Sequence, residues 1–273
     1  MHQRSVVAVV TLVAAIVVGA STATPSPSLR GAWRKLPPAP FAVPQDLTGA
    51  WTGKELIVFG RRPLTSPAAD AAEAYDPYRG AWTRLSPPAG PGFVPSYDAV
   101  WTGKELLAFG AFHSVAFNPA RRRWRALPRP LPGGIVVWTG REAIGWGGGC
   151  CGDASASGAA FDPAAGTYRT LPRSPLAPSQ RPVGAWTGRE LVLLVGGFDP
   201  EGKPWPARLA RAAAYNPATN AWRRIAPLPE NGLGVLGAAA WDGRELPDPV
   251  GPRDRAHRLS SAGAARTERS PLR

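Results

Sequence analysis

The chain has 273 residues, with 31 glycines, 32 prolines and a formal charge of +13. That glycine and proline content is poor material for long helices and suits many short strands joined by turns, in one large all-β domain or two small ones. The basic excess does not read as nucleic-acid binding: the arginines are scattered, and no basic helix or aromatic-basic RNA motif is present. Attraction to an anionic wall polymer or membrane surface is the better use of the charge, beside the plainer reading of a dispersed basic surface with no dedicated partner.

Residues 1–23 read as a targeting segment. His2 and Arg4 form a short basic start, Ser5 to Ala20 is almost wholly Val, Ala, Leu and Ile, and Ser21 and Ala23 suit cleavage before Thr24. The apolar stretch is also just long enough to stay as a membrane anchor, so contact with a membrane is expected only if it is uncleaved. Either way the rest of the chain is expected outside the cytoplasm, secreted or at the cell surface. Residues 24–30 read as an extended Pro/Ser linker.

Residues 31–246 are a repeat array. A phrase recurs at Trp51-Thr52-Gly53-Lys54-Glu55, Trp101-Thr102-Gly103-Lys104-Glu105, Trp138-Thr139-Gly140-Arg141-Glu142, Trp186-Thr187-Gly188-Arg189-Glu190 and Trp241-Asp242-Gly243-Arg244-Glu245. The tryptophan steps are 50, 37, 48 and 55 residues, the range of repeat architectures. Thr-Gly or Asp-Gly between two apolar runs predicts a two-residue hairpin turn, with the following cation and Glu capping the exposed rim. A glycine ends the next strand at Gly60, Gly110, Gly147 and Gly196; the fourth repeat has one extra residue before it, which predicts a bulge.

A second phrase follows in each repeat: Tyr75-Asp76-Pro77 with Trp82, Phe117-Asn118-Pro119 with Trp124, Phe161-Asp162-Pro163 with Tyr168, and Tyr215-Asn216-Pro217 with Trp222. Asp or Asn before Pro opens a type I turn, so these residues are turn formers rather than paired acids. Gly80, Gly166 and Asn220 stand where a left-handed residue completes the hairpin, and Arg122 in that place predicts mild strain. Each repeat therefore predicts four antiparallel strands, and radial repetition of such units is a β-propeller.

These linked phrases resemble the kelch family, whose blades end in Trp-x-x-Leu motifs such as Trp82-Thr83-Arg84-Leu85 and Trp124-Arg125-Ala126-Leu127-Pro128. The resemblance implies an all-β kelch-type propeller with four complete blades, a partial fifth ending at Leu246, and an orphan outer strand around Trp33 that would complete the last blade. Residues 247–273 contain no Trp, Tyr or Phe and read as a disordered Arg/Pro-rich tail. A truncated or frame-shifted product of a longer propeller is one expectation from this, and a four-bladed ring closed by Trp33 in some other way is the other.

Ten tryptophans are expected to serve blade packing; Trp205, in the longest loop, is outside the pattern. Loops vary on the face opposite the hairpin turns, so ligand binding is expected there, with Trp205, Asp199, Glu201, Lys203, Arg208, Arg211 and His113 as candidates. Cys150 and Cys151, the sole cysteines, are expected to close a small strained disulfide outside the cytoplasm. His113 is the single histidine of the repeats, so no metal site, cofactor or base–nucleophile pair is expected. The family includes copper radical oxidases and sugar isomerases, and this histidine content disfavours both. The function expected is a monomeric, exported, non-enzymatic propeller holding a glycan or protein partner; the alternatives are a sugar-modifying enzyme and an inactive fragment.

Overall fold

The computed structural model describes residues 35–40, 45–61, 71–86, 99–110, 113–149, 153–196, 203, 206, 209–226 and 239–244. The targeting segment, the Trp33 strand, both cysteines and the tail lie outside them. Pro37–Arg273 is one compact unit and Met1–Leu36 another, of which Lys35 and Leu36 are described and exposed.

The chain is all-β, built as four four-stranded antiparallel sheets in sequence order. The first holds β1 (Gln45–Trp51), β2 (Leu56–Arg61), β3 (Ala71–Asp76) and β4 (Ala81–Leu85). The second holds β5 (Ala99–Trp101), β6 (Leu106–Phe109), β7 (Ser114–Asn118) and β8 (Arg123–Leu127). The third holds β9 (Ile135–Trp138), β10 (Ala143–Trp146), β11 (Gly158–Asp162) and β12 (Thr167–Thr170). The fourth holds β13 (Val183–Trp186), β14 (Leu191–Leu194), β15 (Ala212–Asn216) and β16 (Ala221–Arg224). The leading strands lie side by side, β1 next to β5, β5 next to β9 and β9 next to β13. Four sheets fanned from their first strands are the arrangement of propeller blades.

The second strands of the second, third and fourth sheets read apolar on both faces because those sheets are covered twice. In β6, Leu106 and Ala108 join Ile57, Phe59 and Ala74 of the first sheet. Leu107 and Phe109 turn the other way, to Val136, Ala143 and Phe161 of the third. Ile144, Trp146 and Ala160 then meet Leu191, Leu193 and Tyr215 of the fourth. Fully burying each such side chain stabilises by roughly 1.5–3 kcal/mol, so these three seams hold the unit together. Ala239 and Trp241 of the partial fifth repeat cover Val192 and Leu194 on the far side of the fourth sheet.

The repeated tryptophan faces the sheet before its own: Trp101 joins the first seam, Trp138 the second and Trp186 the third. Trp51 belongs to the first sheet and is 49% exposed, so it departs from the packing role expected of it. At the outer edge, the fourth-strand aromatic ties back to the end of the preceding repeat. Trp124 Nε1 donates to Ser86 O at 2.7 Å, Trp222 Nε1 to Pro172 O at 3.0 Å, and the Tyr168 hydroxyl to Arg129 O. Trp82 Nε1 donates in the same way to Pro37 O at 3.0 Å, four residues after Trp33.

Two local expectations need correction. The hairpin corner is Gly-Lys or Gly-Arg rather than Thr-Gly. Thr52 N–H donates to Glu55 O at 3.0 Å while Thr52 Oγ1 accepts from Glu55 N–H, so Thr52 is the shoulder and Gly53, at φ 91°, turns the chain. Thr102, Thr139 and Thr187 repeat this, because their hydroxyl replaces a backbone acceptor that the tight corner turns away. The extra residue of the fourth repeat makes no bulge. The β14–β15 register is regular through Leu194, and Val195 N–H donates to Arg211 O at 2.9 Å, just as Gly147 N–H does to Ser157 O. Val195 thus fills the glycine's place and Gly196 follows it.

Candidate functional site

The two hairpin turns of every sheet lie on one face, and the β2–β3-type loops on the other. On the turn face the Asx residues do what their type predicts. Asp76 Oδ1 accepts from Tyr78 N–H, Asn118 Oδ1 from Arg121 N–H, Asp162 Oδ1 from Ala164 N–H and Asn216 Oδ1 from Ala218 N–H. The positions expected to be left-handed are so: Gly80 at φ 62°, Gly166 at 67°, Asn220 at 51° and Arg122 at 50°.

The glutamate closing each first hairpin does more than cap a rim. Glu105 pairs with Arg125 at 2.6 Å, Glu142 with Arg169, and Glu190 with Arg223 at 2.6 Å. The hydrogen bonds from Arg223 hold the Glu190 carboxyl below its ordinary pKa against the opposing effect of burial, and nearby Arg189 adds to the lowering. The first sheet has Thr83 where the others have these arginines, and there Glu55 meets Arg122 of the second sheet at 4.0 Å. The signal for the pairs was present in the sequence: an arginine directly after the fourth-strand aromatic in three repeats.

Arg169 reaches further than its counterparts. Its Nη1 donates to the Tyr215 hydroxyl at 2.7 Å and to Asn220 Oδ1 at 3.1 Å, both on the fourth sheet. Tyr215 in turn donates to Asn220 Oδ1 at 2.7 Å. Burial pushes the Arg169 guanidinium down, but the bonds to Glu142 and Tyr215 outweigh it and hold its pKa above the ordinary value. Beside this bridge a cleft of about 550 Å³ opens between the third and fourth sheets. Arg141, Glu142, Arg169, Trp186, Arg189, Asn216 and Thr219 line it. Its volume is that of a small-ligand site. Its walls offer three arginines, one carboxylate, an amide, two hydroxyls and one aromatic side chain.

The loop face holds the residues expected to bind. Asp199, Glu201, Trp205 and Arg208 lie outside the described residues, as do Cys150 and Cys151 of the expected disulfide. His113 is exposed just before β7, and its carbonyl accepts from Gly110 N–H. Lys203 and Arg211 belong to the loop between β14 and β15, so the three described candidates are split between the second and fourth sheets. Among the described residues no three His, Cys, Asp or Glu side chains converge as a metal site would require.

No protein-family model matches the chain, and no curated protein matches it. Among solved structures, one titled "Structure of YjhT" superposes with a TM-score of 0.55 at 18% identity, covering 77% of this chain and 73% of its own. That likeness is one of fold.

Proposed function

We propose that this chain is an exported kelch-like propeller that holds a glycan or protein partner without transforming it. The turn-face cleft between the third and fourth sheets carries the reading. A volume of about 550 Å³ accommodates a short sugar segment. Trp186 supplies a stacking face, while Arg141, Asn216 and Thr219 supply the directional donors and acceptors that hydroxyl-rich ligands need.

An array of neutral and charged glycans, probed with the full chain and with its Arg189→Gln and Arg211→Gln variants, tests this. Retention of a glycan that is recovered unchanged supports the reading, and the variant that loses it assigns the turn face or the loop face. Recovery of an oxidised or epimerised sugar overturns it in favour of a sugar-modifying enzyme. Retention of no glycan overturns the glycan reading.

A further inference from the structure

We infer that the turn-face cleft is an oxyanion site, built to take the carboxylate or phosphate groups of a soluble anionic polymer. The inference rests on the binding-module reading and names the chemistry of its ligand.

The residue after the corner glycine is a cation in every repeat: Lys54, Lys104, Arg141, Arg189 and Arg244. All five are exposed, and Lys54, Lys104, Arg141 and Arg189 stand at hairpin tips of one face. The neighbouring glutamates could have neutralised them. Instead Glu105, Glu142 and Glu190 turn to the fourth-strand arginines of their own sheets. The carboxylates are thereby spent, and among the described residues Lys54, Lys104, Arg189 and Arg244 form no ion pair. Cations left without a counter-ion at this place, with Arg141 held only by an exposed contact to Asp162, make a surface that attracts polyanions.

The cleft turns general attraction into a site. Three guanidinium groups, of Arg141, Arg169 and Arg189, face it against the single carboxylate of Glu142. Arg169 is locked by Glu142, Tyr215 and Asn220 and serves as a rigid positive wall. Arg189 is open, and Arg141 holds Asp162 by a 3.3 Å contact with 87% of its side chain exposed, which an incoming oxyanion can replace at little cost. Planar guanidinium forks match the two-oxygen edge of a carboxylate or phosphate. A flat bilayer cannot send headgroups into a recess between two sheets, whereas a pendant group on a flexible polymer can. The occupant is therefore a polymer in solution.

Calorimetric titration of the full chain with an oligogalacturonate and with a linear polyphosphate, at low and physiological salt, tests this and separates the two oxyanions. Three proteins are compared: the unaltered chain, Arg141→Gln/Arg189→Gln, and Lys54→Gln/Lys104→Gln. All four substituted side chains are exposed, so near-UV circular dichroism is expected to be unchanged. The expected result is salt-dependent binding of at least one polymer, weakened about tenfold or more by the arginine pair and about threefold or less by the lysine pair. Equal weakening by both pairs means diffuse charge attraction and overturns the site. Binding of neither polymer also overturns it, while retention of a neutral glycan in the array experiment would leave the binding-module reading standing. A fourth arm uses vesicles of phosphatidylcholine and phosphatidylglycerol; vesicle binding that depends on the arginine pair when neither polymer binds overturns the soluble-polymer assignment.

Discussion

The seams on either side of the third sheet are made from the same repeat and end differently on the turn face. Between the second and third sheets, Arg125 closes on Glu105 of its own sheet, and the repeat positions beyond hold Phe161 and Gly166, which offer no side-chain acceptor. Between the third and fourth, the corresponding Arg169 finds Tyr215 and Asn220 there, and both accept from it. One hydroxyl and one amide convert an in-sheet ion pair into a bridge between sheets, and the cleft lies beside that bridge. The repeated residues build the fold, and departures from the repeat build the site.

The apolar layers beneath should not share this difference. Trp146 is fully buried in the third–fourth seam and Phe109 in the second–third. Truncating either to alanine is expected to cost about 3–5 kcal/mol by denaturant unfolding. A loss below about 1 kcal/mol for Phe109→Ala would show that the second–third seam is not packed as described.

The polar layer is where the seams should separate. Tyr215→Phe gives the third–fourth seam the ring that Phe161 gives its neighbour. It removes a buried hydroxyl that bridges a cation and an amide, and is expected to cost roughly 1–2 kcal/mol. Restoring the oxygen by Phe161→Tyr in the other seam is expected to gain nothing, since Gly166 offers no side-chain acceptor. Equal effects in the two seams would erase the contrast.

Acid acts on the rim pairs. The folded pKa of Glu190 lies below its unfolded value, so the stabilisation it brings is present at neutral pH and is lost as pH falls below about 4. Asp162 is lowered as well, by hydrogen bonds from Ala165 and Ala164 N–H and by Arg141. Melting temperature is expected to fall over that range, and Glu190→Gln to flatten part of the fall. An unchanged acid limb in that variant would mean the Glu190–Arg223 pair is not formed.

The smallest effect is expected at Arg122, which holds φ 50° without the freedom that glycine gives Gly166. Its contact with Glu55, at 4.0 Å and 43% exposed, returns little. Arg122→Gly is expected to be neutral or stabilising by up to about 1 kcal/mol in thermal unfolding.

The architecture was legible because its turns are chemical. A threonine or aspartate before the corner glycine, an Asx before proline and a left-handed residue after it mark the hairpins of the repeats, and the four-stranded sheets follow from them. The rim pairs left a signal, glutamate and arginine recurring at fixed repeat positions, but reading each glutamate as a cap beside its own hairpin cation missed the partner across the sheet. The Arg169 bridge was not legible, because its partners lie 46 and 51 residues away in the next repeat. Only the side-by-side order of the sheets shows that they meet. The absent bulge was misread for a related reason: counting residues to Gly196 cannot reveal that Val195 takes the glycine's ladder position. The cleft itself arises between two sheets, where no single phrase encodes it.

Shared seams join the four sheets into one body. Thermal unfolding of the full chain, followed by near-UV and far-UV circular dichroism together, tests that most directly. Tryptophans held in the seams predict a strong near-UV signal that disappears in one transition coincident with loss of strand structure. Strand signal without near-UV signal, or sheets melting in separate steps, would contradict it.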